Sequence, residues 1–107
     1  MITIDNNKRI CTLINVFTVE PENQMALLEQ LKLATENVMS KYPGYISANL
    51  HVSDDGKTVT NYAQWASLQD YLNVFKDQKA LEHMKHAASF ALEFKPVTYN
   101  EIWTHTI

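Results

Sequence analysis

Glycine is almost missing from this chain. Only Gly44 and Gly56 occur in 107 residues, so no glycine-rich loop exists to close backbone amides on a phosphate, which excludes the usual nucleotide and flavin fingerprints. Cysteine is scarcer still. Cys11 alone cannot form an internal disulfide, so a small buried residue is its expected role and nothing points to secretion. Positive charge is short as well: nine Lys and Arg against 12 Asp and Glu give a net charge of -3. The most basic stretch, Lys79 to His86, is interrupted by Glu82 and apolar residues, leaving no stripe to neutralise nucleic-acid phosphates. No apolar run approaches the ~20 residues of a membrane span, and no signal peptide is read at the start. A nucleophile elbow and a paired-carboxylate motif are also lacking. The expectation is a cytoplasmic protein that binds neither nucleic acid nor membrane.

What is present is apolar. With 46% hydrophobic and 20% charged residues, the chain suits one folded domain with a real core. Residues 1–10 are polar and mixed and read as an N-terminal arm, leaving 11–107 as the domain. Cys11 to Val19 alternates as a strand with both faces substantially apolar, as in the middle of a covered sheet. Pro21 opens a helix that runs toward Tyr42, with Leu27, Leu28, Leu31, Ala34 and Val38 at helical spacing. Pro43-Gly44 stops it. Tyr45 to Val52 alternates again, with Ile46, Ala48, Leu50 and Val52 on one face and Tyr45, Ser47, Asn49 and His51 on the other. Asp55-Gly56 marks a hairpin, and Thr58 to Trp65 is the third strand. Helices are expected from about Leu68 to Phe75 and from Gln78 to about Phe90, the second capped by Asp77. Pro96 is read as ending the helical region, with a last strand over Val97 to His105.

The order β-α-β-β-α-β, its second helix broken in two, predicts an α+β fold: a ferredoxin-like antiparallel sheet with helices on one face. One layer of helices leaves the other face bare. Ile14, Val16, Tyr62 and Ile102 fall on that side, which predicts a homodimer formed sheet to sheet.

The chemistry concentrates in Asn61-Tyr62-Ala63-Gln64-Trp65. On a strand, Asn61, Ala63 and Trp65 share a face, so an amide and an indole flank a small residue on one shelf. Ser67-x-x-Asp70 resembles a capping box, and the helix it begins carries Tyr71 in its first turn. A planar molecule fits such a shelf. Each residue also has a plainer reading. Asn61 ties a neighbouring strand, Trp65 anchors the core, Tyr71 lies on the surface, and Phe75, Met84 and Phe90 are core at helical spacing. His83 and His86 lie three apart on one helix, but no third ligand supports a metal. His51 reads as structural and His105 as exposed.

The Asn61–Trp65 run with Tyr71, and Pro43-Gly44-Tyr45-Ile46-Ser47-Ala48 with His51 before the hairpin, resemble the antibiotic biosynthesis monooxygenase superfamily. The resemblance extends from about Ile14 to Trp103. It implies a dimeric α+β barrel with a pocket in each subunit between sheet and helices. Members that oxidise polycyclic phenols to quinones use O2 with no metal or flavin cofactor. By resemblance, Asn61, Trp65 and Tyr71 carry their catalytic positions. Asn15, Phe75 and Lys85 would bind the substrate, Lys85 standing where those members carry an Arg; Lys is a point charge, not a planar fork. His83 is assigned as a base, since imidazole titrates nearest neutrality. A second branch degrades heme with a first-strand Asn, a helical Trp and a His ten residues later. Asn15 and His83 match that pattern, but Asn73 stands where the Trp belongs. The enzymatic alternative is therefore heme binding and degradation. The non-enzymatic one is a small-ligand-binding dimeric module that kept the fold.

Overall fold

The computed structural model describes residues 10–107; the arm expected at the N-terminus lies outside them apart from Ile10. Four strands, β1 (Cys11–Thr18), β2 (Tyr45–Val52), β3 (Thr58–Trp65) and β4 (Glu93–Tyr99), form one sheet. Its order is β2-β3-β1-β4, antiparallel throughout. Three helices, α1 (Gln24–Asn37), α2 (Leu68–Val74) and α3 (Gln78–Ala88), complete the expected α+β ferredoxin-like order.

All three helices pack on the same side of the sheet. Leu27, Leu28 and Leu31 of α1 and Ala87 of α3 meet Phe17 and Val59 in one apolar cluster. Tyr71 and Val74 of α2, Ala80 of α3 and Val38 meet Cys11, Leu13, Ala63 and Trp65 in another. Leu27, Val59 and Val74 are fully buried, each worth roughly 1.5–3 kcal/mol of transfer free energy. Gln24, buried at the start of α1, donates from Nε2 to the carbonyls of Ser53 and Thr58, 3.0 Å each. That fixes α1 against the hairpin, whose turn uses Gly56 at φ +78°.

Helix ends follow their local chemistry. The Ser67 hydroxyl accepts from the Asp70 N–H at 3.0 Å and donates to the Asp70 carboxylate at 2.9 Å, so Asp closes the box through the hydroxyl. Asp77 caps α3 by accepting from the Lys79 N–H at 2.9 Å and also accepts from the Tyr42 hydroxyl. The Tyr42 contact first, and then the Lys79 amide, hold the Asp77 carboxyl below the usual carboxylate range.

Three sequence expectations are corrected. The first α-helix ends at Asn37, where Val38 leaves helical geometry (φ -127°, ψ -68°), and a separate 3-10 turn covers Met39–Lys41. The last strand starts at Glu93 and ends at Tyr99, not His105. Pro96 sits inside it because β4 is an edge strand, where a missing N–H breaks no ladder on the outer side. In β2 the pairing slips between Tyr45 and Ser47. This bulge turns Tyr45 toward Trp65, ring centroids 5.6 Å apart, and leaves Ile46 47% exposed.

Gly44 makes that corner. Its φ is +86°, and a Cβ placed there would collide with the Asp70 carboxylate. Gly44→Ala is expected to lower stability by about 2–4 kcal/mol, combining left-handed strain with the clash. In chemical denaturation, adding Asp70→Ala should recover part of the loss; recovery of all or none would contradict this division.

Candidate functional site

The two apolar clusters do not merge. Along β1, Cys11 and Leu13 belong to one and Phe17, with Val19 just past the strand, to the other; along β3, Val59 belongs to the second and Ala63 and Trp65 to the first. The residues between them are Asn15 and Asn61, which the register places directly opposite each other. Facing side chains on neighbouring antiparallel strands stand about 5 Å apart at Cβ. Both Oδ1 atoms are buried without a hydrogen-bond partner. The helix-facing side of the sheet thus carries a polar seam across a greasy interior. Leu50 continues the row on β2 and Pro96 on β4.

An unpaired buried carbonyl forfeits about 1–3 kcal/mol, and here two of them adjoin. A carboxamide can accept at oxygen or, after a half-turn of χ2, donate from nitrogen. The pair therefore suits a ligand hydroxyl, phenolate or peroxide oxygen.

Trp65 lies on the same face as Asn61, about 13 Å along the strand at roughly 3.3 Å per residue. Between them, Ala63 faces Leu13 on one side and Ala48 on the other. The indole is 1% exposed and embedded in aromatic neighbours, with Tyr45 edge-on and Tyr71 tilted at 6.0 Å. Phe75 stands edge-on to Tyr71 at 5.1 Å, half-buried against the same cluster. Tyr71 is buried rather than superficial; burial first, and then the neighbouring Cys11, push its phenol pKa up. Burial also raises the Cys11 thiol and the Tyr45 phenol.

Asn15, Asn61, Trp65, Tyr71 and Phe75 therefore share the helix-covered side of the sheet, the two amides at the seam and the aromatic three at the Trp65 end. The two α3 residues do not join them. Ala80 and Ala87 mark the inner stripe of α3. Lys85 is exposed, off that stripe. His83 borders the stripe and is exposed. His86 is exposed and stands edge-on to Phe90 at 5.6 Å. The heme set is likewise not assembled, since His83 and Asn73 are both exposed and only Asn15 of that set lies at the seam. Among the described residues, no three His, Cys, Asp or Glu side chains group so as to hold a metal. No helix there is long and apolar enough to cross a membrane.

A groove of about 340 Å³ opens between α1 and the β2 edge, lined by Leu28, Lys32, Thr35, Glu36, Ala48, Leu50 and Val52. Neither Asn61 nor Trp65 is in its wall. Leu50 and Ala48 pair with Asn61 and Ala63, so one strand spacing, about 4.8 Å, separates groove from seam. Sequence reading missed Tyr45 as a partner of Trp65. The Gly44 that precedes it was the available signal, because a positive-φ corner at a strand's start is where alternation breaks.

The opposite face mixes exposed and buried groups. Val16 and Tyr99 are 39% and 44% exposed, whereas Thr12 and Gln64 are buried. The Tyr62 hydroxyl and Gln64 Nε2 are buried there without partners.

Comparison with known proteins agrees with this architecture. Residues 10–89 match the antibiotic biosynthesis monooxygenase family. The tetracenomycin-F1 monooxygenase of Streptomyces glaucescens is 39% identical over 89 residues, 83% of this chain and 80% of that protein. A Streptomyces coelicolor monooxygenase from ActVA-Orf6, solved in complex with nanaomycin D, superposes with a TM-score of 0.79 at 27% identity, covering 96% of each chain. SnoaB of Streptomyces nogalater, described as a cofactor-independent oxygenase, shares the fold with a TM-score of 0.67 at 16% identity, over 90% of this chain and 96% of its own. With the family match spanning most of its length and a relative at that level of identity, the chain belongs to the antibiotic biosynthesis monooxygenase family.

Proposed function

We propose that this protein is a monooxygenase that oxidises a hydroxylated polycyclic aromatic with O2 to a quinone, with the substrate itself supplying the electrons. The observation that carries the reading is the Asn15–Asn61 pair, two half-buried amides between apolar clusters whose Oδ1 atoms are buried and unpartnered. The name of the Streptomyces glaucescens relative and the description of SnoaB as cofactor-independent support it.

In this mechanism a phenol loses its proton and becomes an electron-rich anion. That anion passes one electron to O2; the aryloxyl radical and superoxide combine at carbon, the peroxide anion takes up a proton equal to the one the phenol gave to solvent, and the resulting hydroperoxide loses water to give the quinone. Asn61, with Asn15 opposite, holds the phenolate and then the peroxide oxygen through amide N–H groups. Trp65 and Tyr71 supply the aromatic wall at the far end, and Phe75 backs Tyr71. Because about 13 Å of strand separates Asn61 from Trp65, a fused ring system spans the shelf and a single ring does not. Room for it requires the helix layer to yield, since Trp65 is sealed in the free chain.

The working unit in this reading is a homodimer. Ile14, Val16, Val97 and Tyr99 form an apolar patch on the sheet face away from the helices, Val16 and Tyr99 substantially exposed, and a second copy would cover it. Val16→Lys should convert a sedimenting dimer to monomer; a wild-type chain that sediments as monomer at micromolar concentration contradicts the dimer.

Oxygen uptake with a panel of fused-ring quinols tests the activity. Asn61→Leu should lower the rate on the order of 10²–10³-fold, the usual cost of one oxyanion donor. The same substitution, and Asn15→Leu, should raise stability by about 1 kcal/mol in urea denaturation, because each removes an unpaired buried carbonyl. Unchanged oxygen uptake, or a loss of stability in both variants, would assign the amides to structure instead.

A further inference from the structure

The aromatic side chains at the Trp65 end form a continuous line. Ring centroids run Tyr45 to Trp65 at 5.6 Å, Trp65 to Tyr71 at 6.0 Å and Tyr71 to Phe75 at 5.1 Å. Rings in contact at such separations exchange electrons readily, and indole and phenol are the most easily oxidised aromatic groups in a protein. The two ends of the line differ. Phenylalanine is not oxidised under these conditions, so Phe75 is a dead end. Tyr71, 7% exposed, has little water to take its proton, and a phenol gives up an electron easily only if its proton can leave. Tyr45 is half-buried at the other end, brought against Trp65 by the bulge in β2.

We infer that Trp65 and Tyr45 form a hole-transfer relay that draws an oxidising equivalent out of the interior to the protein surface. This rests on the radical chemistry proposed above as the source of the oxidant. A peroxyl radical, formed where O2 adds to a substrate carbon radical that escapes recombination, takes one electron from Trp65 and a proton from solvent, becoming a hydroperoxide and leaving the indole radical cation. Tyr45 returns an electron to Trp65 and releases its phenolic proton to water, which leaves a neutral tyrosyl radical at the surface. A diffusible thiol then reduces that radical by hydrogen-atom donation and becomes a thiyl radical. The relay spares Cys11 and Tyr71, which lie in the same cluster as Trp65.

Flash photoionisation tests the relay without any substrate, so its outcome is independent of whether the oxygenase reading holds. The chain has two tryptophans, and Trp103 is 79% exposed, so Trp103→Phe leaves Trp65 as the one indole to ionise. In that protein the indolyl absorption should decay as the tyrosyl band rises. Adding Tyr45→Phe should abolish the rise, whereas adding Tyr71→Phe should leave it. Spin trapping followed by peptide mapping tests the relay with position 45 unaltered: the adduct should lie on Tyr45. A tyrosyl rise that persists in Tyr45→Phe, no rise in the Trp103→Phe parent, or an adduct on another tyrosine overturns the relay.

Discussion

The antiparallel pairing of β1 with β3 is the constraint on which the rest depends. It sets Leu13 beside Ala63 and Phe17 beside Val59, and with the same register it sets Asn15 against Asn61. A slip of one residue would turn every apolar side chain on these strands to the other face. The register is therefore held by the two hydrophobic clusters, and the amides between them are carried into the interior by neighbours that have no use for them. Burying polar groups without partners costs free energy that the apolar residues on both sides offset. Stability thus comes from the flanks, and the two amides between them are a cost that the flanks carry.

Much of this was legible in the chain. The order of elements, the hairpin at Asp55-Gly56, the Ser67 cap and the shared face of Asn61, Ala63 and Trp65 all follow from period and turn chemistry. Three things did not. Alternation within single strands shows that Asn15 and Asn61 each point inward, but it does not show that they meet, because register is a property of two strands. The bulge at Tyr45 was hidden by the regular Ile46-x-Ala48-x-Leu50 alternation of the sequence, and the corner at Gly44 is what displaces it. Pro96 looked like a stop because proline is excluded from central strands; its position at a sheet edge depends on strand order, which no local window contains. For α3, the interior stripe runs through Ala80 and Ala87, small residues that leave His83 and Lys85 with less claim on the core than a family resemblance gave them.

The helix layer is held unevenly. On α1, Leu27, Leu28 and Leu31 are inserted into the core, while α3 offers two buried alanines and a partly buried Met84. Buried area scales with the size of what is buried, so α3 is attached less firmly than α1. The Tyr42 hydroxyl, donating to Asp77 at the start of α3, ties that end of the helix to the turn after α1.

The edges of the sheet carry a last consequence. On one side Pro96 removes an amide hydrogen from the middle of β4; on the other, the irregularity at Tyr45 breaks the straightness of β2. Neither border offers an uninterrupted template for an added strand, so indefinite growth into fibrils is disfavoured at both. Both margins of the sheet are blunted, so a chain that opened in part would still present no straight strand for another molecule to extend.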